Sequence, residues 1–196
     1  LTYYGNETLF ADIQQLPASH YLEIPLDAFT KTEPQQYWQI NLTQPRTLCY
    51  DEASSELREL FLGNVQQHMR SDVPIGAALS GGIDSSSIVM AMRYLQGQDI
   101  KLHTFSYVSN DLHISEEKWI DVVSNSSACL LNKVSAKPEE LLADVEQLIY
   151  HQDVPFGSTS IYAQYRVFQL AQNQGIKVML DGQGADEILG GYKPYI

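Results

Sequence analysis

The run Leu79-Ser80-Gly81-Gly82-Ile83-Asp84-Ser85-Ser86 gathers the residue types that grip a polyphosphate. Glycines open backbone angles closed to other residues and let a ligand approach the main chain. Their N–H groups, with the free amides of a helix start, form a concave anion site. Ser80, Ser85 and Ser86 add hydroxyl donors. A Walker-type loop would place a lysine on the phosphates. This run has none, and its charged residue is Asp84, which repels phosphate unless a divalent cation stands between them. An ordinary glycine turn with a serine cap is the plainer reading, but a bare glycine pair would not bring three serines and an aspartate with it.

A second run has similar chemistry. Leu180-Asp181-Gly182-Gln183-Gly184-Ala185-Asp186-Glu187 is followed by Gly190-Gly191-Tyr192. Magnesium is commonly held by one or two carboxylates together with substrate phosphates, which makes Asp84 and Asp186 a candidate metal pair. Two bare carboxylates ~4 Å apart at an effective dielectric near ~20 repel by ~4 kcal/mol, so the pairing makes sense only around a cation.

Both runs need a scaffold that brings them to one edge, and the sequence between them supplies one. Apolar residues at helical spacing predict a helix over Ala53 to Met69. Val73 to Leu79 is a short apolar run that suits a buried parallel strand. Helices are expected over Ser85 to Leu95, Glu116 to Ser126, Pro138 to Tyr150, Ser160 to Gln174 and Ala185 to Leu189. Strands are expected over Leu102 to Val108, Leu130 to Val134 and Ile176 to Leu180. Strands spaced by helices predict an α/β fold with a doubly wound, mostly parallel sheet. In such sheets ligands bind beyond the carboxyl ends of the strands, where both runs fall.

Residues 1–47 read differently. Leu9 to Ile13, stopped by Leu16-Pro17, suggests a short helical turn, and His20 to Ile24 and Tyr37 to Ile40 alternate like edge strands. The segment is too short to bury a core of its own, and Gln44-Pro45-Arg46 reads as a linker. The chain starts at Leu1 rather than Met and stops just after Gly190-Gly191-Tyr192, so both ends read as truncated.

Twelve Lys plus Arg against 24 Asp plus Glu give a formal charge of -12. Such a surface disfavours general binding to nucleic acid. It also means that positive potential for a polyphosphate must come locally, from metal ions, backbone amides or a few basic side chains. Cys49 and Cys129 have no metal-ligand spacing and read as reduced, packed thiols. No signal peptide is expected from this sequence, and no apolar run in it approaches the roughly 20 residues a membrane span needs. The cytoplasm is the default location, with no membrane partner. His20, His68, His103 and His113 show no partner pattern, and the tyrosines read as packing.

Taken together, the two glycine runs with Gly190-Gly191-Tyr192 resemble glutamine-hydrolysing asparagine synthetases, members of the ATP-pyrophosphatase (PP-loop) superfamily. Leu16-Pro17, His20-Tyr21 and Tyr37-Trp38 are similar to the end of that family's N-terminal glutaminase domain. The resemblance implies a Rossmann-like, adenine nucleotide alpha hydrolase-like fold over 48–196, the first part of the synthetase domain. Residues 1–47 would be the tail of an Ntn-type glutaminase domain and its linker. It implies activation of aspartate by ATP to β-aspartyl-AMP with loss of pyrophosphate, then amidation by ammonia drawn from glutamine. It implies ATP and Mg2+ as the bound groups, and allows a homodimer of the full-length protein. Asp84 and Asp186 would be magnesium ligands. Ser80, Gly81, Gly82, Ser85 and Ser86 would hold pyrophosphate, and Leu79, Tyr107, Asp181 and Gly182 would contact the adenosine part. Gln183 would stand beside the reaction with Asp84 and Asp186. Asp153 and Ser158 lie in a run, His151 to Ser160, that resembles a family segment lining the substrate cleft; read plainly, Ser158 is a helix cap.

The chain departs from the family at three points. Leu1 is not the family's terminal catalytic cysteine, and neither Cys49 nor Cys129 takes that place. The later helical half, with its lysine near the reaction centre, does not fall within these 196 residues. Asp181-Gly182-Gln183-Gly184 stands where the best-known members have Ser-Gly-Glu-Gly. Gln183 keeps the size of that glutamate but not its charge, which leaves the carboxylate substrate open. An amidotransferase or lactam-forming enzyme acting on another carboxylate, or a catalytically incomplete ATP-binding fragment, are the alternatives. A tRNA-modifying pyrophosphatase fits less well, given the acidic balance and the lack of paired cysteines.

Overall fold

The computed structural model describes residues 5–27, 32–41, 43, 45–97, 101–111, 113 and 115–192. Its elements run β1 (His20–Tyr21), β2 (Gln35–Gln36), α1 (Tyr50–His68), β3 (Ile75–Ala78), α2 (Ile83–Gln96), β4 (His103–Tyr107), α3 (Glu117–Ser127), β5 (Leu130–Val134), α4 (Pro138–Gln152), α5 (Thr159–Asn173), β6 (Val178–Leu180) and α6 (Ala185–Leu189). The alternation of strand and helix after residue 48 is the expected one, with ends shifted by a few residues. The largest shift is at α1, which starts at Tyr50 because the Glu52 carboxylate accepts from the Cys49 N–H at 3.0 Å. A reading of apolar spacing alone misses such a polar cap.

Four strands form one parallel sheet in the order β5-β4-β3-β6. The chain winds outward from β3 through β4 to β5, then returns to place β6 on the other side of β3. That reversal is the switch point at which an open α/β sheet leaves a crevice. The sheet is covered on both faces, as a doubly wound fold requires. On one face α1, α2 and α3 enclose Ala77, Leu79, Val89, Met92, Leu102, Ile120 and Leu180. On the other, α5 lies over β4 and β5 and packs Val167 and Ala171 against Phe105 and Ile176. Phe105 and Met92 are fully buried, and a side chain of that size contributes about 1.5–3 kcal/mol when removed from water.

Arg93 fastens the helical face. It is 6% exposed, and its guanidinium donates to the main-chain carbonyls of Ser127 (2.6 Å), Gly97 (2.7 Å) and Ala128 (3.1 Å). One charged group thus satisfies the C-terminal carbonyls of α2 and α3, acceptors that a helix cannot satisfy internally.

The N-terminal region corrects two expectations. Leu9 to Ile13 is not a helical turn. It is a loop closed by a Glu7–Gln14 bridge, with Thr8 Oγ1 donating to the Ile13 carbonyl at 2.7 Å and Asp12 at φ +62°. The second strand is not Tyr37 to Ile40. The antiparallel ladder pairs His20 with Gln36 and Tyr21 with Gln35, and Tyr21 Oη donates to Gln35 Oε1 at 2.6 Å. Tyr37, Trp38 and Ile40 are exposed. Alternation makes a strand only where a face is buried, and here no apolar layer covers them.

Candidate active site

The parallel pairing of β3 with β6 aligns Ala77 with Leu180. The loop that leaves β3 at Leu79 and the loop that leaves β6 at Asp181 therefore emerge side by side. They come into close contact: a Cβ on Gly182 would lie 3.1 Å from Asp84 Cβ and from the Ser85 nitrogen. A side chain there would push the two loops apart. Between them is a cleft of about 190 Å3 lined by Ala78, Ser80, Asp84, Ser85, Asp181, Gly182, Gln183, Gly184, Asp186, Glu187 and Tyr192.

The first loop is built to leave main-chain donors free. Gly81 takes φ +87°, while Gly82 takes φ -68° and ψ 163°, an extended conformation open to any residue. Only the first glycine thus uses the conformational freedom expected of both. Gly82 is the N-cap of α2, and no side chain caps that helix. Among the described residues, the first-turn N–H groups of Ile83, Asp84 and Ser85 meet no acceptor, the set that an anion can satisfy. Ser80 and Ser85 are held together, their hydroxyl oxygens 2.9 Å apart, with the Ser80 N–H donating to Ser85 Oγ at 3.1 Å. Ser86 Oγ is buried and has no hydrogen-bond partner, which is costly unless something else supplies one.

The second loop turns through Gly184 at φ +92° into α6. Asp181 accepts from the Gly182 N–H at 2.6 Å through Oδ1 and from Gln164 Nε2 at 3.2 Å through Oδ2. Asp186 lies against Gly191, and Tyr192 Oη donates to Glu187 Oε1 at 2.9 Å.

Asp84 and Asp186 thus share one cleft, together with Ser80, Ser85, Asp181, Gly182 and Gln183. Gly81, Gly82 and Ser86 lie in the same loop or in the first turn of α2 but do not line the cleft; Gly81 packs against α3 at Trp119 and Ile120. Leu79 is not brought to it. Its side chain is 1% exposed, and its main chain bonds the Phe105 carbonyl at 2.9 Å and Ser106 Oγ at 2.6 Å. Tyr107 ends β4 and packs into the apolar layer under α5, away from the cleft lining. Ser158 accepts from the Ser160 N–H at 3.2 Å as the cap of α5, and Asp153 terminates α4 at φ +59°; neither lines the cleft. Ala78, Gly184, Glu187 and Tyr192 join the cleft although they were not read as site residues. Gln164 signals nothing in sequence, because it is an ordinary glutamine within a helix.

The electrostatics of this cleft are one-sided. Asp84, Asp181, Asp186 and Glu187 all line it, and among the described residues no lysine, arginine or histidine does. Among the described residues no three His, Cys, Asp or Glu side chains converge as a metal-holding set. A cation bound by Asp84 and Asp186 would therefore complete its oxygen shell with ligand oxygens and water, as magnesium commonly does.

A family model described as asparagine synthase matches residues 56–196, and the cleft lies wholly inside that span. This chain belongs to the asparagine synthase family. Glutamine-hydrolyzing asparagine synthetase 1 of Bacillus subtilis (strain 168) is 36% identical over 149 residues, covering 74% of this chain and 22% of that protein. Asparagine synthetase 2 of the same organism is 29% identical over 197 residues, covering 94% of this chain and 26% of the relative. The amidase chyE of Penicillium rubens is 27% identical over 207 residues, covering 97% of this chain and 30% of the relative. The chain thus spans less than a third of the length of these relatives. Among the described residues no helix of this asparagine synthase family member is long and apolar enough to cross a membrane.

Proposed function

We propose that this chain carries the ATP-cleaving site of an asparagine synthetase. In this reading a substrate carboxylate oxygen attacks the α-phosphorus of ATP. The bond between that phosphorus and the bridging oxygen to the β-phosphorus breaks, and pyrophosphate leaves. Ammonia then attacks the acyl carbon of the acyl-adenylate and loses a proton, and AMP departs with the carboxylate oxygen. Aspartate is the substrate proposed and glutamine the source of ammonia, the glutaminase domain being the one whose tail we assign to residues 1–47. A biosynthetic enzyme of this kind would work in the cytoplasm.

The observation that carries the reading is the shared cleft. Two glycine loops lie in contact at the switch point, with uncapped amides on one side and Asp84 and Asp186 in the space between. The free N–H groups of Ile83, Asp84 and Ser85, with the buried Ser86 hydroxyl, would hold pyrophosphate oxygens. These donors are fixed before the ligand arrives, so they stabilise charge moving onto the leaving group without reorganising. Asp84 and Asp186 would hold Mg2+. When bound, that ion would neutralise phosphate charge in a cleft lined by four carboxylates.

Gln183 favours a second reading, amidation of another carboxylate by the same chemistry. It lines the cleft as a neutral side chain, and one relative of similar coverage is named an amidase rather than an asparagine synthetase. Exchange of label between pyrophosphate and ATP in the full-length protein separates the two. Exchange that requires aspartate supports asparagine synthesis. Exchange that ignores aspartate and responds to another carboxylate supports the second reading. D84N is expected to abolish magnesium-dependent ATP binding in a calorimetric titration, and unchanged binding would remove Asp84 from the metal site.

A further inference from the structure

The amino end of the sheet carries a second cleft, of about 510 Å3 against about 190 Å3 for the one lined by Asp84 and Asp186. The two lie at opposite ends of β3: Pro74 and Ile75 line this one, Ala78 and Ser80 the other. Its volume falls within the roughly 300–1,000 Å3 typical of small-molecule sites. The proposed ATP chemistry does not use it.

Two opposed charges meet in this space. Met69, Gln96 and Gln174 line it, and they are the C-cap of α1, the last residue of α2 and the C-cap of α5. Three helices thus turn their C-terminal ends toward one cleft. Each such end carries about half an elementary negative charge and carbonyls that the helix cannot satisfy itself. Against them stand Lys101 and His103, and among the described residues no Asp or Glu lines the cleft. None pairs with Lys101 either.

The His103 ring is held by stacking on Phe105, with centroids 6.4 Å apart and planes 17° from parallel. Its Nδ1 is buried without a hydrogen-bond partner, so the ring meets the cleft through its Nε2 edge. A buried N–H without an acceptor is rarer than a buried acceptor without a donor. That assigns the ring proton to Nε2 and makes Nε2–H a donor toward the cleft. Val73, Ile75 and Ile176 supply an apolar wall.

A simple anion would meet Lys101 but face three negative helix ends. A simple cation would meet the helix ends but face Lys101. A small zwitterion with an apolar branch suits all three walls. We propose that this cleft is a second ligand site, separate from the catalytic one, for a free α-amino acid with an aliphatic side chain. Its carboxylate accepts from Lys101 and the His103 Nε2–H, and its ammonium donates to helix-end carbonyls. Its side chain rests on Val73, Ile75 and Ile176.

The test is titration calorimetry of the full-length protein with L-leucine, L-valine and L-methionine. Leucine is compared with 4-methylpentanoate, which lacks the ammonium, and with 3-methylbutylamine, which lacks the carboxylate. Loss of either charge-assisted contact is expected to weaken binding by roughly tenfold or more. K101A is expected to weaken leucine by about the same factor, and K101R to keep most of the affinity. Lys101 is exposed, so these variants should fold; melting curves check this, and K101Q replaces K101A if it does not. D84N, in the other cleft, is expected to leave leucine binding unchanged. The inference is overturned if none of the three amino acids binds, or if leucine binds no better than either analogue. Leucine affinity that persists in folded K101A also overturns it, as does a loss in D84N in place of K101A, which would put the amino acid in the catalytic cleft.

Discussion

Replacing Gly191 with alanine tests the metal pair without touching a ligand. A Cβ at this position would sit 1.8 Å from Asp186 Oδ1, 2.8 Å from Asp186 Cγ and 3.2 Å from Asp186 Cα. Real Cβ atoms essentially never come within 3.0 Å of a neighbour, so the carboxylate must retreat by at least 1.2 Å, the difference between 3.0 Å and 1.8 Å. Its carboxylate end can rotate away, and the N–H of residue 191 can still donate to the Asp186 carbonyl, as it now does at 3.0 Å. The change therefore costs little folding stability and moves one group, the proposed second magnesium ligand. Disturbing a residue that orients a metal ligand lowers metal affinity by roughly 10–100-fold, and G191A is expected to weaken magnesium-dependent ATP binding by that order. The assay is a titration of the full-length variant with ATP at fixed magnesium, with a melting curve as control. Because both changes act through one carboxylate, D186A combined with G191A is expected to bind no worse than D186A alone. Wild-type affinity in folded G191A, or additive losses in the double variant, would refute the reasoning.

S86A is expected to move stability and binding in opposite directions. Its buried hydroxyl has no partner, and an unsatisfied buried polar group costs about 1–3 kcal/mol, so the melting temperature should rise while affinity for pyrophosphate falls; unchanged pyrophosphate affinity would show that Ser86 does not serve the anion. For E140Q the signal is pH dependence. The Lys137 N–H, followed by the Arg166 guanidinium, holds the Glu140 carboxyl below its ordinary 4.5. A lowered folded-state value gives stability that is present above the unfolded value and is lost as pH falls through the folded one. The gap in melting temperature between the native protein and E140Q should therefore be open at neutral pH and close on the acid side of 4.5; a gap that widens in acid would contradict the assignment.

How far the sequence reached depends on what kind of force decided each feature. The parallel sheet was legible because runs such as Val73 to Leu79 are buried on both faces, and burial writes itself into composition. The two loops were legible because glycine, serine and aspartate at a strand end have few structural reasons to gather. The second N-terminal strand was misread because Tyr37, Trp38 and Ile40 alternate without a layer to cover them. Leu79 was expected at the nucleotide, yet the strand pairing that places Ser80 in the cleft turns Leu79 into the core. Gln164 was invisible, because its only distinction is a bond to a residue 17 positions away. Periodicity reports burial; it does not report which polar side chain meets which.

The acidic balance and the site form one physical argument. A protein of formal charge -12 repels a free nucleotide tetra-anion, and four carboxylates in the cleft repel it further at short range. The uncapped amides of α2 offset part of this, since a helix start carries only about half an elementary positive charge. The remainder must arrive with the ligand. On this reasoning the magnesium complex is the species that binds, and nucleotide affinity rises with magnesium until the complex saturates. Asp181 and Glu187 then have a second effect beyond any contact of their own: they disfavour the free anion and so couple ATP affinity tightly to the cation.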